Sequence, residues 1–266
     1  MIVHDRMDNG ASHDIPLPPE GRLEAVPQAS DTLFTWDYAI HDPALLNLYE
    51  KGKRLQWNAS TDIDWSISVD PEQFPDFLPP EAVNAVLNPP EHLEVKELVR
   101  MRVHQLGWML SQFLHGEQGA LLATAKIVQS VPWEEAKFYA ANQVADEARH
   151  VEVYHRYLTE KLGISYGVNE NLRQLLDAIL CDSRWDVTFL GMQIMVEGLA
   201  LAAFGVTRMQ MADEPLIQDL IGRVMADESR HVAFGVISLN ELYTKEMTSS
   251  ELNAQHASIG ERRRVR

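Results

Sequence analysis

A chain of 266 residues with 45% apolar composition can bury a substantial core, enough for one domain or two, and one is read here. Its formal net charge of −16 excludes a protein that tracks nucleic-acid phosphates, which would show a basic face. A single cysteine, Cys181, excludes an internal disulfide, a thiolate zinc site and a cysteine-held iron–sulfur cluster, and fits a reducing cytoplasm.

In chain order, residues 1–90 read as an N-terminal arm and lid segment. Met1 to Ala11 lacks the apolar centre of a secretory signal, and Pro16, Pro18, Pro19 and Pro27 predict an extended or poorly ordered arm to about residue 30. Leu45, Leu46, Leu48 and Tyr49 predict a short amphipathic helix between Pro43 and Trp57. The loop from Trp57 to Trp65 sets two indoles beside Asp62 and Asp64; it is read as a lid whose rings cover the long helices of 91–247, with electron transfer or substrate entry as the functional alternative. Six prolines between 70 and 90 make a connector, with a helical turn expected at Glu81 to Leu87.

Residues 91–247 carry four long helical patterns. The first runs from about Glu94 to Ser130 and sets Leu106, Leu110, Phe113 and Ala120 on the face of Glu117, so that this glutamate faces a core. Val131-Pro132-Trp133 breaks it. The second, from Trp133 to Leu162, sets Ala136, Ala140, Val151 and Tyr154 around Glu147 and ends at the Gly163 to Gly167 region. A lesser helix from Asn169 to Cys181 belongs to the long crossover. The third, from Trp185 to Met211, surrounds Glu197 with Leu190, Ile194, Ala200 and Phe204; the fourth runs from Pro215 to Met247, and 248–266 is a polar tail. Between Val187 and Val206 the only charge is Glu197, a run long enough to span a bilayer. The mid-run carboxylate and the missing flanking lysines favour the buried centre of a bundle, and no membrane association is expected. No strand pattern and no glycine-rich nucleotide loop is present. The expected fold is all-α, a four-helix bundle with accessory helices.

The chemistry lies in a repeat. Asp146-Glu147-Ala148-Arg149-His150 returns as Asp227-Glu228-Ser229-Arg230-His231, and positions three apart on a helix share a face, so each copy aims a carboxylate and an imidazole at one point. Glu117 lies 30 positions before Glu147 and Glu197 lies 31 before Glu228, and both midpoints fall in turn signals. Folding each hairpin there levels its two glutamates. One Glu from each of two helices and Glu-x-x-His from each of two others is the ligand set of di-iron and di-manganese carboxylate bundles. Four bare carboxylates on apolar faces would cost several kcal/mol each, which two divalent cations cancel. Mixed oxygen and nitrogen donors suit iron or manganese better than calcium or zinc. The predicted metal ligands are therefore Glu117, Glu147, His150, Glu197, Glu228 and His231, holding two iron ions or an iron–manganese pair. Asp146 and Asp227 are placed to accept the free ring N–H of a ligand histidine, with Arg149 and Arg230 balancing their charge.

At these residues, over about 94–247, the chain resembles the ferritin-like di-iron carboxylate superfamily. It is similar above all to the hydroxylase subunits of bacterial multicomponent monooxygenases and, more distantly, to the radical-generating subunit of ribonucleotide reductase. The resemblance implies a di-iron centre that activates dioxygen. Several positions depart from the relatives' patterns: Leu201 stands where the hydroxylases carry Thr, and Val224 stands where the amine N-oxygenases carry an additional His. Tyr154 matches the reductase's radical tyrosine and is the candidate catalytic residue, with a core tyrosine hydrogen-bonded near the metals as the plainer role.

The function expected from this is an oxygenase that hydroxylates, N-oxygenates or desaturates a small, largely apolar substrate bound beside Ala120, Ala200 and Gly235. A ferroxidase or iron-handling protein and a radical-generating subunit are the alternatives. Nothing in the chain carries electrons in, so an external reductase or electron donor is expected, with the acidic surface and the Trp57 to Trp65 loop as docking features. The expected assembly is a cytoplasmic homodimer.

Overall fold

The computed structural model describes residues 24–28, 30–74, 94–241 and 243. Among them are six helices and no strand: α1 (Pro43–Arg54), α2 (Val95–Ser130), α3 (Glu134–Arg156), α4 (Glu170–Cys181), α5 (Trp185–Gln210) and α6 (Pro215–Glu241). The expected turn at Glu81 to Leu87, the last residues of the fourth helix and the 248–266 tail lie outside the described residues.

Local chemistry sets the ends. Asp42 caps α1 by accepting from the amides of Ala44 (2.7 Å) and Leu45 (3.2 Å), ahead of Pro43 at the first helical position. Glu97 reaches back to the Glu94 amide at 2.8 Å to start α2. Extended Val131 before Pro132 stops it. Beyond Arg156 the chain winds one wider, π-type turn over Tyr157–Leu162, and Gly163, at φ 66°, closes it in the left-handed region that glycine enters without penalty. Glu214 accepts from the Leu216 and Ile217 amides at the start of α6 and from the Tyr157 hydroxyl at 3.1 Å.

The helices α2, α3, α5 and α6 form the bundle, and α1 lies across α3 and α6. Two apolar layers fill it. One contains Leu106, Leu110, Val153, Tyr157, Leu216 and Leu220; the other contains Ile127, Val131, Ala136, Tyr139, Phe189 and Phe234, with Leu45 and Leu48 of α1. Buried carboxylates and imidazoles occupy the space between the layers. In the arm, the Leu33 amide donates to Gln129 O (2.8 Å) and the Thr35 hydroxyl to Pro132 O (2.7 Å), which fastens it to the α2–α3 turn.

Helix α5 departs from expectation twice. It does not run as one regular helix: a π-type turn over Leu190–Val196 separates Trp185–Phe189 from Glu197–Gln210. Nor is it buried all round. It is long and apolar enough to cross a membrane, but only 28% of that apolar stretch is buried in the fold. The bundle takes the face carrying Met192, Gln193, Glu197 and Phe204, while Met195, Leu199, Val206 and Met209 stay exposed. A helix at the edge of a bundle buries a stripe, however apolar its remaining faces are.

Candidate metal centre

Glu117 comes from the middle of α2, Glu147 and His150 from α3, Glu197 from the first turn after the π segment of α5, and Glu228 and His231 from α6. All six are buried. They form two groups, Glu117, Glu147, His150 and Glu228, and then Glu147, Glu197, Glu228 and His231, whose donor atoms lie within 4.8 Å of one another in each group. His150 Nδ1 faces Glu117 Oε2 at 3.2 Å, Glu147 Oε2 at 3.3 Å and Glu228 Oε1 at 3.1 Å. His231 Nδ1 faces Glu147 Oε1 at 3.2 Å, Glu228 Oε2 at 3.4 Å and Glu197 Oε2 at 3.8 Å. Glu147 and Glu228 thus give one oxygen to each group and span the two, whereas Glu117 and Glu197 belong to one apiece.

Behind the imidazoles the two helices exchange partners. His150 Nε2 on α3 donates to Asp227 Oδ2 on α6 at 3.1 Å, and His231 Nε2 on α6 donates to Asp146 Oδ2 on α3 at 3.3 Å. This holds both Nδ1 atoms toward the carboxylates. Arg149 pairs with Asp146 and Arg230 with Asp227 on their own helices, and each reaches across as well, at 3.7 Å from Arg149 to Asp227 and 3.9 Å from Arg230 to Asp146. The loop after α1 closes this ring from outside: Gln56 donates to Asp146 at 2.8 Å and the Trp57 indole N–H to Asp227 at 2.7 Å. Trp57 lies nearly parallel to the His150 ring at 6.5 Å, with the Arg149 and Arg223 guanidiniums 5.2 and 5.8 Å from its own ring.

The metal-free protein neutralises this cluster with protons. Burial, and then the neighbouring Glu228, push the Glu117 and Glu197 carboxyls well above the usual carboxylate range. Burial would do the same to Glu147 and Glu228, but His231 outweighs it, holding Glu147 well below that range and Glu228 at about 2. Both histidines are raised well above their ordinary value: burial opposes this, and Glu117 for His150 and Glu147 for His231 overcome it. Even so, Glu147 Oε2, both oxygens of Glu228 and His231 Nδ1 find no hydrogen-bond partner among the described residues. Orphaned oxygen and nitrogen donors converging at hydrogen-bond distances are what two cations would satisfy, and the residues present fit such a pair.

A cavity of about 260 Å³ opens from the surface between α2, α4 and α5 and ends on Glu117 and Glu197. Phe113, Ala120, Leu172, Leu175, Ala200 and Phe204 make its wall, and Gln112 and Asn169 are also among its lining residues. Gly235 is not among them: it packs against the π segment of α5, so the sequence expectation for that residue is corrected. Tyr154 is buried against Phe113 and Phe204, at 5.8 and 5.9 Å between rings, and its hydroxyl has no hydrogen-bond partner among the described residues, unlike the bonded core tyrosine expected. Sequence reasoning missed Gln143, Gln193 and the buried Tyr139. The detectable signal was that each glutamine stands four positions before a candidate ligand, on a core face.

No model of a protein family and no curated protein matches the chain. Among solved structures, R2-like ligand-binding oxidase with aerobically reconstituted Mn/Fe cofactor matches with a TM-score of 0.55 and 21% identity, over 77% of this chain and 71% of that one. A valine-to-leucine variant with anaerobically reconstituted Mn/Fe cofactor gives 0.54 and 21%, over 77% and 75%. The chain has their ferritin-like fold. At this identity the likeness establishes architecture, so the chemistry must be argued from this chain's own residues. In ferritin-like terms, α2, α3, α5 and α6 are the helices whose inward faces build the centre, and α1 with the Trp57 loop is an addition laid over it.

Proposed function

We propose that the protein is a dioxygen-dependent dimetal oxidoreductase that oxidises a small, largely apolar organic substrate by two electrons, in a hydroxylation, N-oxygenation or desaturation. The carrying observation is the conjunction of two donor groups sharing Glu147 and Glu228 with an apolar cavity that ends on Glu117 and Glu197. An iron-handling role has no need of such a cavity. Glu117 and His150 would hold one ion and Glu197 and His231 the other, with Glu147 and Glu228 between them. The Mn/Fe cofactor named for the solved relatives supports an iron–manganese pair as well as two irons.

Two such ions, when bound, deliver to dioxygen the electrons that activate it for attack on the substrate. The chain's own residues do the rest. Asp227 and Asp146 hold the imidazoles with Nδ1 inward. Phe113, Phe204 and Tyr154 exclude water, and the cavity wall orients an apolar group toward the cluster. Reducing dioxygen to water takes four electrons; a two-electron oxidation of substrate supplies two, and an external reductase or other donor supplies the remaining two. Trp57, bonded to Asp227 and through it to His150, offers the shortest hydrogen-bonded line from the surface loop to a ligand. A cytoplasmic homodimer is part of the same proposal.

Protein reconstituted with Fe(II), alone or with Mn(II), should retain two ions per chain and consume dioxygen in the presence of a reductant, turning over small apolar candidates only in air. A ceiling of one zinc per chain, or equal turnover without dioxygen, overturns this reading. Multiple turnovers with dioxygen but no reductant would remove the external donor alone.

A further inference from the structure

The ligands repeat between the two hairpins, but the residues four positions before the glutamates do not. Phe113 precedes Glu117 and Val224 precedes Glu228, while Gln143 precedes Glu147 and Gln193 precedes Glu197. Both glutamines are fully buried. The Gln143 amide nitrogen donates to Glu147 Oε1 at 2.8 Å and to Glu197 Oε1 at 3.2 Å, and also to Gln193 Oε1 at 3.1 Å. Gln193 in turn donates to Thr124 Oγ1 on α2 at 3.5 Å. A buried chain of polar groups therefore links α2, α3 and α5 and ends on two candidate ligands.

Backbone structure is arranged around this chain. Gln193 sits in the π-type turn of α5, a widened turn that is otherwise rare in helices. A Cβ at Gly235 of α6 would stand 2.6 Å from Gln193 Cβ and 3.4 Å from its carbonyl carbon, so the two helices approach this closely only with glycine there. Buried amides cost about 1–3 kcal/mol when unpartnered. Two of them, where the sister positions hold Phe and Val, require a use, and the donors aimed at Glu147 and Glu197 supply it.

We propose that Gln143, held by Gln193, is a positioning residue for the Glu147 and Glu197 carboxylates and makes the two metal positions unequal. The position between Glu197 and His231 depends on it, and the position between Glu117 and His150 does not. The oxygen assignments carry the distinction. Gln143 engages Glu147 Oε1, the oxygen turned toward His231, and leaves Oε2, the oxygen turned toward His150, untouched. At Glu197 it takes Oε1 and so fixes Oε2 toward His231. Without that donor the Glu147 and Glu197 carboxyl groups lose the hydrogen bond that orients both of them at this position alone. The inference rests on the metal centre proposed above.

The test is stepwise calorimetric titration of the metal-free, full-length protein with Mn(II). Wild type should bind in two steps, and Glu197→Ala should remove the step that belongs to the Glu197 and His231 position. Gln143→Leu should weaken that same step by about 10–100-fold, the usual consequence of losing a group that orients a ligand, and leave the other in place. Gln193→Leu should weaken the same step by less, and it carries the test alone if Gln143→Leu does not fold. Equal weakening of both steps would mark a merely structural role, and no change in either would reject the role outright; both results overturn the inference while leaving the metal centre standing. Wild type binding fewer than two ions takes down the metal centre and this inference together.

Discussion

Four positions after its ligand histidine the α2–α3 hairpin carries Tyr154, and at the same position the α5–α6 hairpin carries Gly235. Around Glu117 and His150 stand Phe113, Tyr154 and Phe204, an aromatic cluster with ring centroids 4.7 to 5.9 Å apart. Around Glu197 and His231 stand Gln143 and Gln193. Two cations of like charge ask for like ligands, so the pentapeptide recurs; the surroundings answer to other demands and diverge. The repeat thus encodes coordination, and departures from it give each metal position its own environment.

The sharing of Glu147 and Glu228 is the part of this picture easiest to break. Glu228→Ala removes one oxygen from each donor group and should carry metal content toward zero, whereas Glu197→Ala takes a ligand from one group and should leave about one ion per chain. Helical content should survive in both, because the apolar layers lie on either side of the cluster. Metal analysis with circular dichroism checks this, and equal losses in the two variants would show that the spanning geometry is wrong.

Proton balance gives the next largest effect. In the metal-free protein Glu117 and Glu197 are held above the usual 4.5, and His150 and His231 above 6.5, so two divalent ions bind in competition with protons. Each displaced proton steepens the dependence of affinity on pH by about tenfold per unit, with binding tighter at higher pH. Stability of the metal-free protein should run the other way. The raised histidines and carboxyls contribute stability that is full below their unfolded values and lost as pH rises through the folded ones. The depressed Glu147 and Glu228 contribute stability that is lost as pH falls below 4.5. Its melting temperature should therefore peak near pH 4.5, fall above it as the raised carboxyls lose their contribution, and fall more steeply above 6.5 as the histidines join them. Melting curves across pH, with and without metal, test both signs.

A subtler variant separates the two halves. Asp227→Asn keeps the shape of the group behind His150 but weakens its hold on Nε2, and Asp146→Asn does the same behind His231. Each should cost about 10–100-fold in the affinity of one metal step, and the two variants should affect different steps. Mn(II) titrations in which both variants weaken the same step would refute the crossed pairing.

Much of this was legible in the sequence because it is periodic. Glutamate three before histidine, apolar residues at helical spacing, and turn residues at both hairpin midpoints placed four helices and one buried cluster, and the structure brings those six residues together. What was illegible depends on three dimensions. Helical periodicity assumes a regular turn, so the π segment of α5, and with it the inward aim of Gln193, left no trace in the pattern. Composition says that α5 is apolar but not which of its faces meets a partner, and so an edge helix read as a central one. Gly235 read as space for a substrate, because a sequence shows that a side chain is missing without showing what fills the gap.

The smallest expected effect concerns Tyr154. Its hydroxyl is buried without a hydrogen-bond partner among the described residues, so Tyr154→Phe should stabilise the metal-free protein by about 1 kcal/mol, a modest rise in melting temperature. In the metal-loaded protein the same substitution distinguishes two roles. A hydroxyl that gains a partner only when the centre is filled makes the stabilisation vanish on loading, and one that is simply core makes it persist. Redox use of the ring is expected to be absent. Oxidising a tyrosine releases its proton, and burial, followed by the nearby Glu117, raises the pKa of that proton well above its ordinary value, with no hydrogen-bonded base among the described residues to receive it. The oxygenated protein should accordingly show no lasting tyrosyl signal by electron paramagnetic resonance. A signal that disappears in Tyr154→Phe would overturn that expectation and make the aromatic side of the centre, rather than the amide side, the place where oxidising equivalents are stored.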